Sequence, residues 1–476
     1  MRFINKRSKL IGTIGPSTAA YETVKELVLS GLTTIRANFS HGDYEEQKAK
    51  FDNARKVQAE LNVPISLMLD TKGPEIRVGK MKDGAQLIKA KQEIVVHTKP
   101  EDYQNLIGTD REITVSYRMD KDLKKGNIVL FDDGKLVTEV ISVQDGLINV
   151  ITKNQHLLKS NKRINLPGVE FSLPFLSEKD IRDVKFGIEQ KVDYIAASFV
   201  NSKANVEELR AILKTYGGEK IRIISKIESE IAIKNIDEII EASDGIMVAR
   251  GDLGLEIPYY EVPFNQKMMI RKCRHAGKPV IVATQMLDSM EKLPQPTRAE
   301  VTDVYWATEL GADATMLSGE TASGDFPIQA VTVMSTINLR AEKEFYNKLY
   351  YPVQLEEVRR YSAKDSRNQI AYEIAKAASQ GDYKYIVVRS TTGALLNEIA
   401  KYRPNAAIIG LVDDEEMIGK FGITNSVFVS LKSKELFKSV KADFSKAASA
   451  LIPFAPQPGD RYLVVDRHKK MEFIYK

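Results

Sequence analysis

The chain has 476 residues, of which 43% are apolar, so it is long enough for about three globular domains. A net charge of +5 spread over this length gives little reason to expect a nucleic-acid partner. The single cysteine, Cys273, excludes an intrachain disulfide and a multi-cysteine metal site. The N-terminal MRFINKRSKLIG lacks the apolar stretch of a signal peptide, and no apolar run reaches the ~20 residues that span a bilayer. We therefore expect a cytoplasmic protein with no membrane partner.

Short β-branched apolar runs, each ending in a polar or charged residue, recur along the first two-thirds of the chain. They are LIGTI from Leu10, TTIRAN from Thr33, ISLMLD from Ile65, YIAASF from Tyr194, IRIISKIE from Ile221, GIMVAR from Gly245, VIVAT from Val280 and ATMLS from Ala314. Segments of helical periodicity separate most neighbours, with stop signals at Gly31 and Gly217 and a capping box at Thr297–Glu300. Eight strand and helix units predict an α/β protein built on a (β/α)8 TIM barrel. A doubly wound sheet is the competing fold, but it rarely needs eight evenly repeated units.

One long interval, between the third and fourth runs, breaks this repeat. Residues 71–164 carry alternating stretches such as REITVSYR, separated by Asp-Gly turns, and predict an inserted small β-barrel that could act as a lid. The barrel domain is then expected at 1–70 and 165–341. After a charged linker at 342–355, alternating helix and strand patterns predict a C-terminal three-layer α/β domain at 356–476.

The polar residues that end the apolar runs should converge, because the active site of a barrel lies at the C-terminal ends of its strands. They are Arg36, Asn38, Ser40, Asp70, Thr71, Lys226, Glu228, Asp252, Thr284, Ser318 and Glu320. Glu228 and Asp252 suit Mg²⁺ held by two carboxylates and substrate oxygens. With Arg36, Arg77 and Lys226 facing the same space, they predict a phosphate-bearing substrate. Each charge alone is more simply explained as a solvated or locally paired group, but their repeated placement favours a site.

Seven motifs resemble, in order, the signatures of the pyruvate kinase family. They are IRANFSHG from Ile35, LDTKGPEIR from Leu69, SKIES from Ser225, MVARGDLGLEIP from Met247, ATQMLDSM from Ala283, PTRAEVTDV from Pro296 and MLSGETASGDFP from Met316. The resemblance implies a phosphotransferase that moves the phosphoryl group of phosphoenolpyruvate to ADP, giving pyruvate and ATP in the last step of glycolysis. It also implies Mg²⁺ or Mn²⁺ and K⁺ as cofactors and a homotetrameric assembly.

The resemblance further implies a role for each matched residue. Lys226 would neutralise charge as the phosphoryl group leaves the enolate oxygen. Mg²⁺ would be bound by Glu228 and Asp252, K⁺ by Asn38, Ser40, Asp70 and Thr71, and phosphates by Arg36 and Arg77. The substrate would contact Arg36, Lys226, Gly251, Asp252 and Thr284, and the nucleotide would contact Asn38, His41, Arg77 and Lys162. Thr284, with Ser318 and Glu320, would deliver the proton.

Three motifs mark how this chain compares with the family pattern. Glu75, in TKGPE, is the residue that accompanies potassium dependence in the family, so we predict activation by K⁺. Arg163 stands where glycine is usual and is expected to alter the hinge that returns from the insert. In STTGAL, Ala394 and Leu395 replace the polar pair of a sugar-phosphate loop, which argues against activation by fructose 1,6-bisphosphate.

Two other functions compete with this interpretation. Another Mg²⁺-dependent barrel enzyme acting on a phosphorylated or enolic acid, such as a carbon-carbon lyase, would need neither a nucleotide contact nor a closing lid. A catalytically inactive scaffold of the same fold would act only by binding. Intact Lys226, Glu228, Asp252 and Thr284 count against the scaffold.

Overall fold

The structure is a computed structural model that describes residues 6–170, 172–346, 349–467 and 469–476. The expectations for the first five residues, and for residues 347–348 of the linker, lie outside the described residues. Within these ranges, no helix combines the length and the apolar character needed to cross a membrane.

The chain begins with three parallel strands separated by two helices. These elements are β1 (Lys9–Thr13), α1 (Tyr21–Leu29), β2 (Thr34–Asn38), α2 (Tyr44–Leu61) and β3 (Ser66–Asp70). Asp43 caps α2, because its side chain accepts a hydrogen bond from Glu46 N at 2.9 Å. Gly31 follows α1 with φ +117°, a backbone conformation that a side chain would strain.

The chain then leaves the barrel for a β domain with its own hydrophobic core. The elements are β4 (Ile76–Arg77), β5 (Ala85–Ile88), β6 (Glu93–His97), α3 (Pro100–Asn105), β7 (Glu112–Thr114), β8 (Ile128–Phe131), β9 (Leu136–Gln144), β10 (Leu147–Thr152), β11 (His156–Lys159) and β12 (Arg163–Asn165). Seven strands form a mainly antiparallel sheet in the order β4-β12-β8-β9-β10-β6-β7, and β11 pairs with β5. The expected β insert is present, and its hydrogen bonding divides it into two sheets that cover one core.

The rest of the barrel follows the insert. Its elements are α4 (Glu178–Glu189), β13 (Tyr194–Ala197), α5 (Lys203–Thr215), β14 (Arg222–Ile227), α6 (Glu230–Lys234), α7 (Ile236–Ala242), β15 (Gly245–Ala249), α8 (Arg250–Glu256), α9 (Val262–Ala276), β16 (Val280–Ala283), α10 (Arg298–Glu309), β17 (Ala314–Leu317), α11 (Gly319–Ala322) and α12 (Pro327–Phe345). Eight parallel strands close in the order β1-β17-β16-β15-β14-β13-β3-β2. Every predicted apolar run is one of these strands, so the predicted barrel is confirmed.

The C-terminal part is a second α/β unit. Its elements are α13 (Tyr351–Tyr361), α14 (Ser366–Gly381), β18 (Tyr385–Arg389), α15 (Ala394–Lys401), β19 (Ala407–Leu411), β20 (Val427–Val429), α16 (Ser433–Ala442), β21 (Arg461–Asp466) and β22 (Lys469–Ile474). The sheet order is β20-β19-β18-β21-β22, with β22 antiparallel. Ile386 and Val388 enter one hydrophobic core, and Tyr385 and Val387 enter another. Because strand side chains alternate, both faces of the sheet are covered, giving three layers.

One predicted limit between domains does not coincide with the end of a helix or strand. Helix α13 runs across residue 355, so the expected limit between linker and C-terminal domain falls inside a continuous helix. We keep the other limits, 1–70 with 165–341 and 71–164, as predictions.

A segment of the C-terminal domain closes the N-terminal end of the barrel. Ile423 is fully buried among side chains of the barrel interior, including Tyr194. The Thr33 hydroxyl donates a hydrogen bond to the carbonyl of Gly422 at 2.8 Å. The C-terminal domain therefore supplies part of the barrel's own core.

Asp313, just before β17, joins the same two domains through a buried ion pair. Its carboxylate accepts hydrogen bonds from Arg403 Nη2 at 2.6 Å, from Val280 N at 3.1 Å and from Asn425 N at 2.9 Å. The Asp313 and Arg403 side chains are each only 3% exposed. Removing either partner would leave the other charge buried without compensation.

We expect Asp313→Ala to lower the free energy of unfolding by about 3–5 kcal/mol, because Arg403 loses its counter-ion. Urea and thermal unfolding of the full chain measure the change. The control is Lys220→Met, which removes an exposed ion pair with Asp414 (2.8 Å) between the same two domains. It should barely move the unfolding midpoint, because exposed pairs contribute little. Equal effects of the two substitutions would contradict the importance of burial.

Candidate active site

A cluster of buried charges lies at the C-terminal ends of the barrel strands. Lys226 Nζ lies 3.1 Å from Asp70 Oδ1, 3.0 Å from Glu228 Oε1 and 2.8 Å from Ser198 Oγ. The side chains of both carboxylates are 1% exposed. Burial acts to lower the pKa of Lys226, but Asp70 and Glu228 outweigh it and raise that pKa. Lys226 is therefore a permanent positive charge held between two acids.

Arg36 pairs with the second carboxylate oxygen of Asp70. Its Nε donates a hydrogen bond to Asp70 Oδ2 at 2.7 Å, and its Nη1 donates to Thr13 Oγ1 at 2.8 Å. Burial acts to raise the pKa of Asp70, but Arg36 and Lys226 together hold it below its usual value. One ionised carboxylate thus orients two cations toward the same end of the barrel.

Glu228 and Asp252 form an acidic pair beside Lys226. Phe199 N donates a hydrogen bond to Glu228 Oε2 at 2.6 Å, and the Asp252 carboxyl is close enough to influence the pKa of Glu228. Burial raises the pKa of Glu228 to about 7, with Lys226 opposing the shift and Asp252 adding to it. Burial also acts to raise the pKa of Asp252, but Arg163 and Lys226 hold it below its usual value. Two carboxylates this close favour either a shared proton or a bound cation.

The loop after β16 places Thr284 against the start of α8. Thr284 and Gln285 both adopt left-handed φ values, +67° and +53°, which are costly for residues with a Cβ. Arg250 holds this backbone by donating to the Thr284 carbonyl at 2.7 Å, and it is itself paired with Asp303. Gly251 N donates to Thr284 Oγ1 at 2.7 Å. Because the strained backbone is held by several contacts, the position of the Thr284 hydroxyl is well defined.

Ser318 and Glu320 follow the last barrel strand. Glu320 accepts hydrogen bonds from Ser318 N at 2.7 Å and from Leu287 N at 3.1 Å, and burial raises the pKa of Glu320. Among the described residues, Ser318 Oγ has no hydrogen-bond partner although it is buried. A buried hydroxyl in this state is available to a ligand or a water molecule.

The residues assigned to K⁺ end two neighbouring strands. Asn38 and Asp70 face each other in the register of β2 and β3. Ser40 N donates to Asn38 Oδ1 at 3.0 Å, and the Thr71 carbonyl accepts from Ser198 Oγ at 2.7 Å. Amide, carboxylate and carbonyl oxygens therefore lie at the ends of two neighbouring strands, and oxygens are the ligands that hard cations prefer.

Three predicted site residues lie apart from the buried charges. Arg77 donates to Glu75 Oε2 at 2.6 Å at the base of the insert. Lys162 pairs with Asp132 at 2.9 Å inside the insert, and His41 is exposed. In the part of the chain that the structure describes, none of the three hydrogen-bonds to Asp70, Glu228 or Asp252.

The structure also adds residues that the sequence analysis did not place in the site. Ser198 and Phe199 end the run YIAASF, so the same strand-end rule could have found them. Arg163, expected only to alter a hinge, pairs directly with Asp252 and lies 4.9 Å from the centre of the Phe199 ring. No sequence signal predicts that pair, because it depends on how the insert returns to the barrel.

Comparison with known proteins identifies the family. The family model described as "Pyruvate kinase, barrel domain" matches residues 5–331. The pyruvate kinase of Mycoplasma pneumoniae is 41% identical over 491 aligned residues, covering 96% of each chain. That of Clostridium acetobutylicum is 39% identical and covers 90% of this chain and 89% of its own.

A solved structure agrees with these matches. The crystal structure of a pyruvate kinase from Cryptosporidium parvum has a TM-score of 0.89 and 36% sequence identity, covering 100% of this chain and 97% of its own. Because sequence and fold match over nearly the whole length, the chain belongs to the pyruvate kinase family.

Proposed function

We propose that this chain carries out the reaction of its family with Lys226, Glu228 and Asp252 at the catalytic centre. The chain is a phosphotransferase that moves the phosphoryl group of phosphoenolpyruvate to ADP, giving pyruvate and ATP. The observation that carries the assignment is the contact of Lys226 with both Asp70 and Glu228 at the strand ends. A fixed buried cation suits a reaction in which negative charge develops on an oxygen.

Glu228 and Asp252 are the proposed ligands of the divalent metal, Mg²⁺ or Mn²⁺, that the family uses. Mg²⁺ is usually held by one or two carboxylates, with waters and substrate oxygens completing its shell. Glu228 and Asp252 supply two carboxylates beside Lys226, which fits a metal site that substrate oxygens and waters complete. When bound, the metal would supply positive charge next to the phosphoryl oxygens.

Phosphoryl transfer requires positioning and charge compensation more than covalent help from the protein. Lys226 would stabilise the enolate oxygen as its bond to phosphorus breaks. Arg36 and Arg77 would hold phosphates, and the backbone of Gly251 and Asp252 would receive the substrate carboxylate.

The nucleotide contacts are proposed from the family resemblance at Asn38, His41, Arg77 and Lys162. Arg77 and Lys162 both belong to the insert, whereas Asn38 and His41 belong to the barrel. A nucleotide that contacts both groups would bridge the insert and the barrel, and closure of the insert over it would suit a lid.

The product enolpyruvate must then take a proton on carbon. From the family resemblance, Thr284 is the proposed source, and Ser318 and Glu320 would support the transfer with water. The contacts that fix the Thr284 hydroxyl are compatible with this role. The Ser318 hydroxyl, buried and without a partner in the described residues, fits such a relay.

Asn38, Ser40, Asp70 and Thr71 are the proposed K⁺ ligands. From the family resemblance at TKGPE, Glu75 is the proposed determinant of potassium dependence. Its carboxylate pairs with Arg77 and lies 3.6 Å from Lys72. A lysine at this position would place a fixed charge where the acid now is.

A homotetramer and a cytoplasmic location complete the proposal. Tyr259, Tyr260 and Phe264 are 81%, 66% and 66% exposed on the outside of the barrel. Exposed aromatic groups of this size are typical of protein interfaces, and closed symmetry then favours a self-complementary contact.

A coupled assay with lactate dehydrogenase tests the function and the role of Lys226. The wild-type chain should release pyruvate from phosphoenolpyruvate only when ADP is present, and Lys226→Met should lower kcat about 10²- to 10³-fold because the developing charge loses its partner. Lys272→Met, on the outer helix α9, is the matched control and should retain activity. Pyruvate release without ADP would indicate transfer of the phosphoryl group to water and hence a hydrolase, absence of pyruvate release would favour the lyase or the scaffold, and full activity of Lys226→Met would contradict the proposed centre.

The proton source can be tested separately from phosphoryl transfer. Thr284→Ala should slow the exchange of the pyruvate methyl protons with deuterated solvent about 10²-fold, because the hydroxyl is lost. Thr284→Ser keeps the hydroxyl and should restore most of the exchange. Wild-type exchange by the alanine variant would show that another group delivers the proton.

Potassium dependence provides a third test. The wild-type enzyme should be activated by KCl, whereas Glu75→Lys should reach its full rate without K⁺ because the lysine supplies the charge. Steady-state rates in tetramethylammonium chloride with added KCl measure the difference. Glu139→Lys, a partly exposed position in the same insert, serves as the control and should stay potassium-dependent. An unchanged potassium requirement in Glu75→Lys would show that this residue does not set it.

A further inference from the structure

A guanidinium of the insert lies against the proposed metal ligands. Arg163 begins β12, the strand by which the chain returns from the insert to the barrel. Its Nη1 donates a hydrogen bond to Asp252 Oδ1, and its side chain is only 18% exposed. Glu228 and Glu75 also attract this charge. One cation of the insert therefore faces three carboxylates.

Phe199 contacts Arg163 on another side. The ring centre lies 4.9 Å from Arg163 Cζ, while Phe199 N donates to the Glu228 carboxylate at 2.6 Å. Phe199 itself has a left-handed φ of +56°, which is unfavourable for a bulky residue. The same residue thus supports both the guanidinium and one of the proposed metal ligands.

Arg163 does not form the two parallel hydrogen bonds to Asp252 that its guanidinium could donate. An arginine can donate two parallel hydrogen bonds to a carboxylate. Here Nη2 is buried and has no hydrogen-bond partner among the described residues. The cost of this unsatisfied donor makes the pair easier to exchange for a better partner.

We propose that Arg163 is an internal counter-ion that competes with the divalent metal for Asp252. The inference rests on the proposed metal role of Glu228 and Asp252. If both cations shared the Asp252 carboxylate, they would lie side by side, and their mutual repulsion disfavours that arrangement. Metal binding therefore displaces Arg163.

The displacement has a structural consequence for the insert. Arg163 lies directly opposite Arg77 in the pairing of β12 with β4, the two strands that connect the insert to the barrel. Releasing Arg163 from Asp252 removes one ion pair that joins the insert to the barrel. Arg163 is thus a positioning residue that couples the state of the metal site to the attachment of the insert.

Direct Mn²⁺ binding to the full chain without substrates tests the competition, with electron paramagnetic resonance of free Mn²⁺ as the readout. Arg163→Gln removes the charge and should tighten binding about tenfold, which corresponds to about 1.4 kcal/mol. Arg163→Lys keeps the charge and should stay close to the wild-type affinity. Arg111→Gln, an exposed arginine of the same insert, is the matched control and should not change the affinity.

Unchanged or weaker Mn²⁺ binding by Arg163→Gln, with circular dichroism showing a folded chain, would overturn the inference. Should that variant not fold, Arg163→Met provides the same comparison. Asp252→Asn tests the metal assignment separately from the competition by Arg163. This variant should lose Mn²⁺ binding, and wild-type binding by Asp252→Asn would show that the metal lies elsewhere. Thermal unfolding gives an independent readout, because Mn²⁺ should raise the midpoint of Arg163→Gln more than that of the wild type.

Discussion

The charge compensation of Lys226 is the constraint on which the site depends. A buried ammonium group is unfavourable unless acids lie within contact distance, and here Asp70 and Glu228 both do. These residues come from β3 and from the end of β14, which are not neighbours in the barrel. Only the closed parallel barrel, which points all its strand ends to one side, brings them together.

The charges around Lys226 are also balanced in number. Three cations, Arg36, Lys226 and Arg163, contact three acids, Asp70, Glu228 and Asp252. The anionic substrate and the cationic metal have charges that largely cancel each other. A site whose own charges are balanced can therefore accept both together. A site that was strongly positive by itself would hold the phosphorylated product as firmly as the substrate, which would slow turnover.

Much of this arrangement could be predicted from the sequence, for specific physical reasons. The barrel strands were recognisable because apolar runs such as GIMVAR are short and end in a polar residue, and Lys226 and Glu228 could be assigned to one face because they lie two residues apart. The contact between Arg163 and Asp252 could not be predicted, because it joins two domains and depends on the path of the insert. The pairing of Arg77 with Glu75 could not be predicted either, because it depends on how the insert begins, and the role of Arg77 in phosphate binding stays a prediction.

The burial of Ile423 inside the barrel affects how the two large domains can vary. A side chain of the C-terminal domain completes the close packing of the barrel interior, and close-packed interiors tolerate little change in volume. The C-terminal domain is therefore not an interchangeable module: its outer surface can diverge freely, but the segment around Ile423 must evolve together with the barrel residues it contacts. A chain shortened before that segment would present an open apolar cavity at the end of the barrel opposite the catalytic centre.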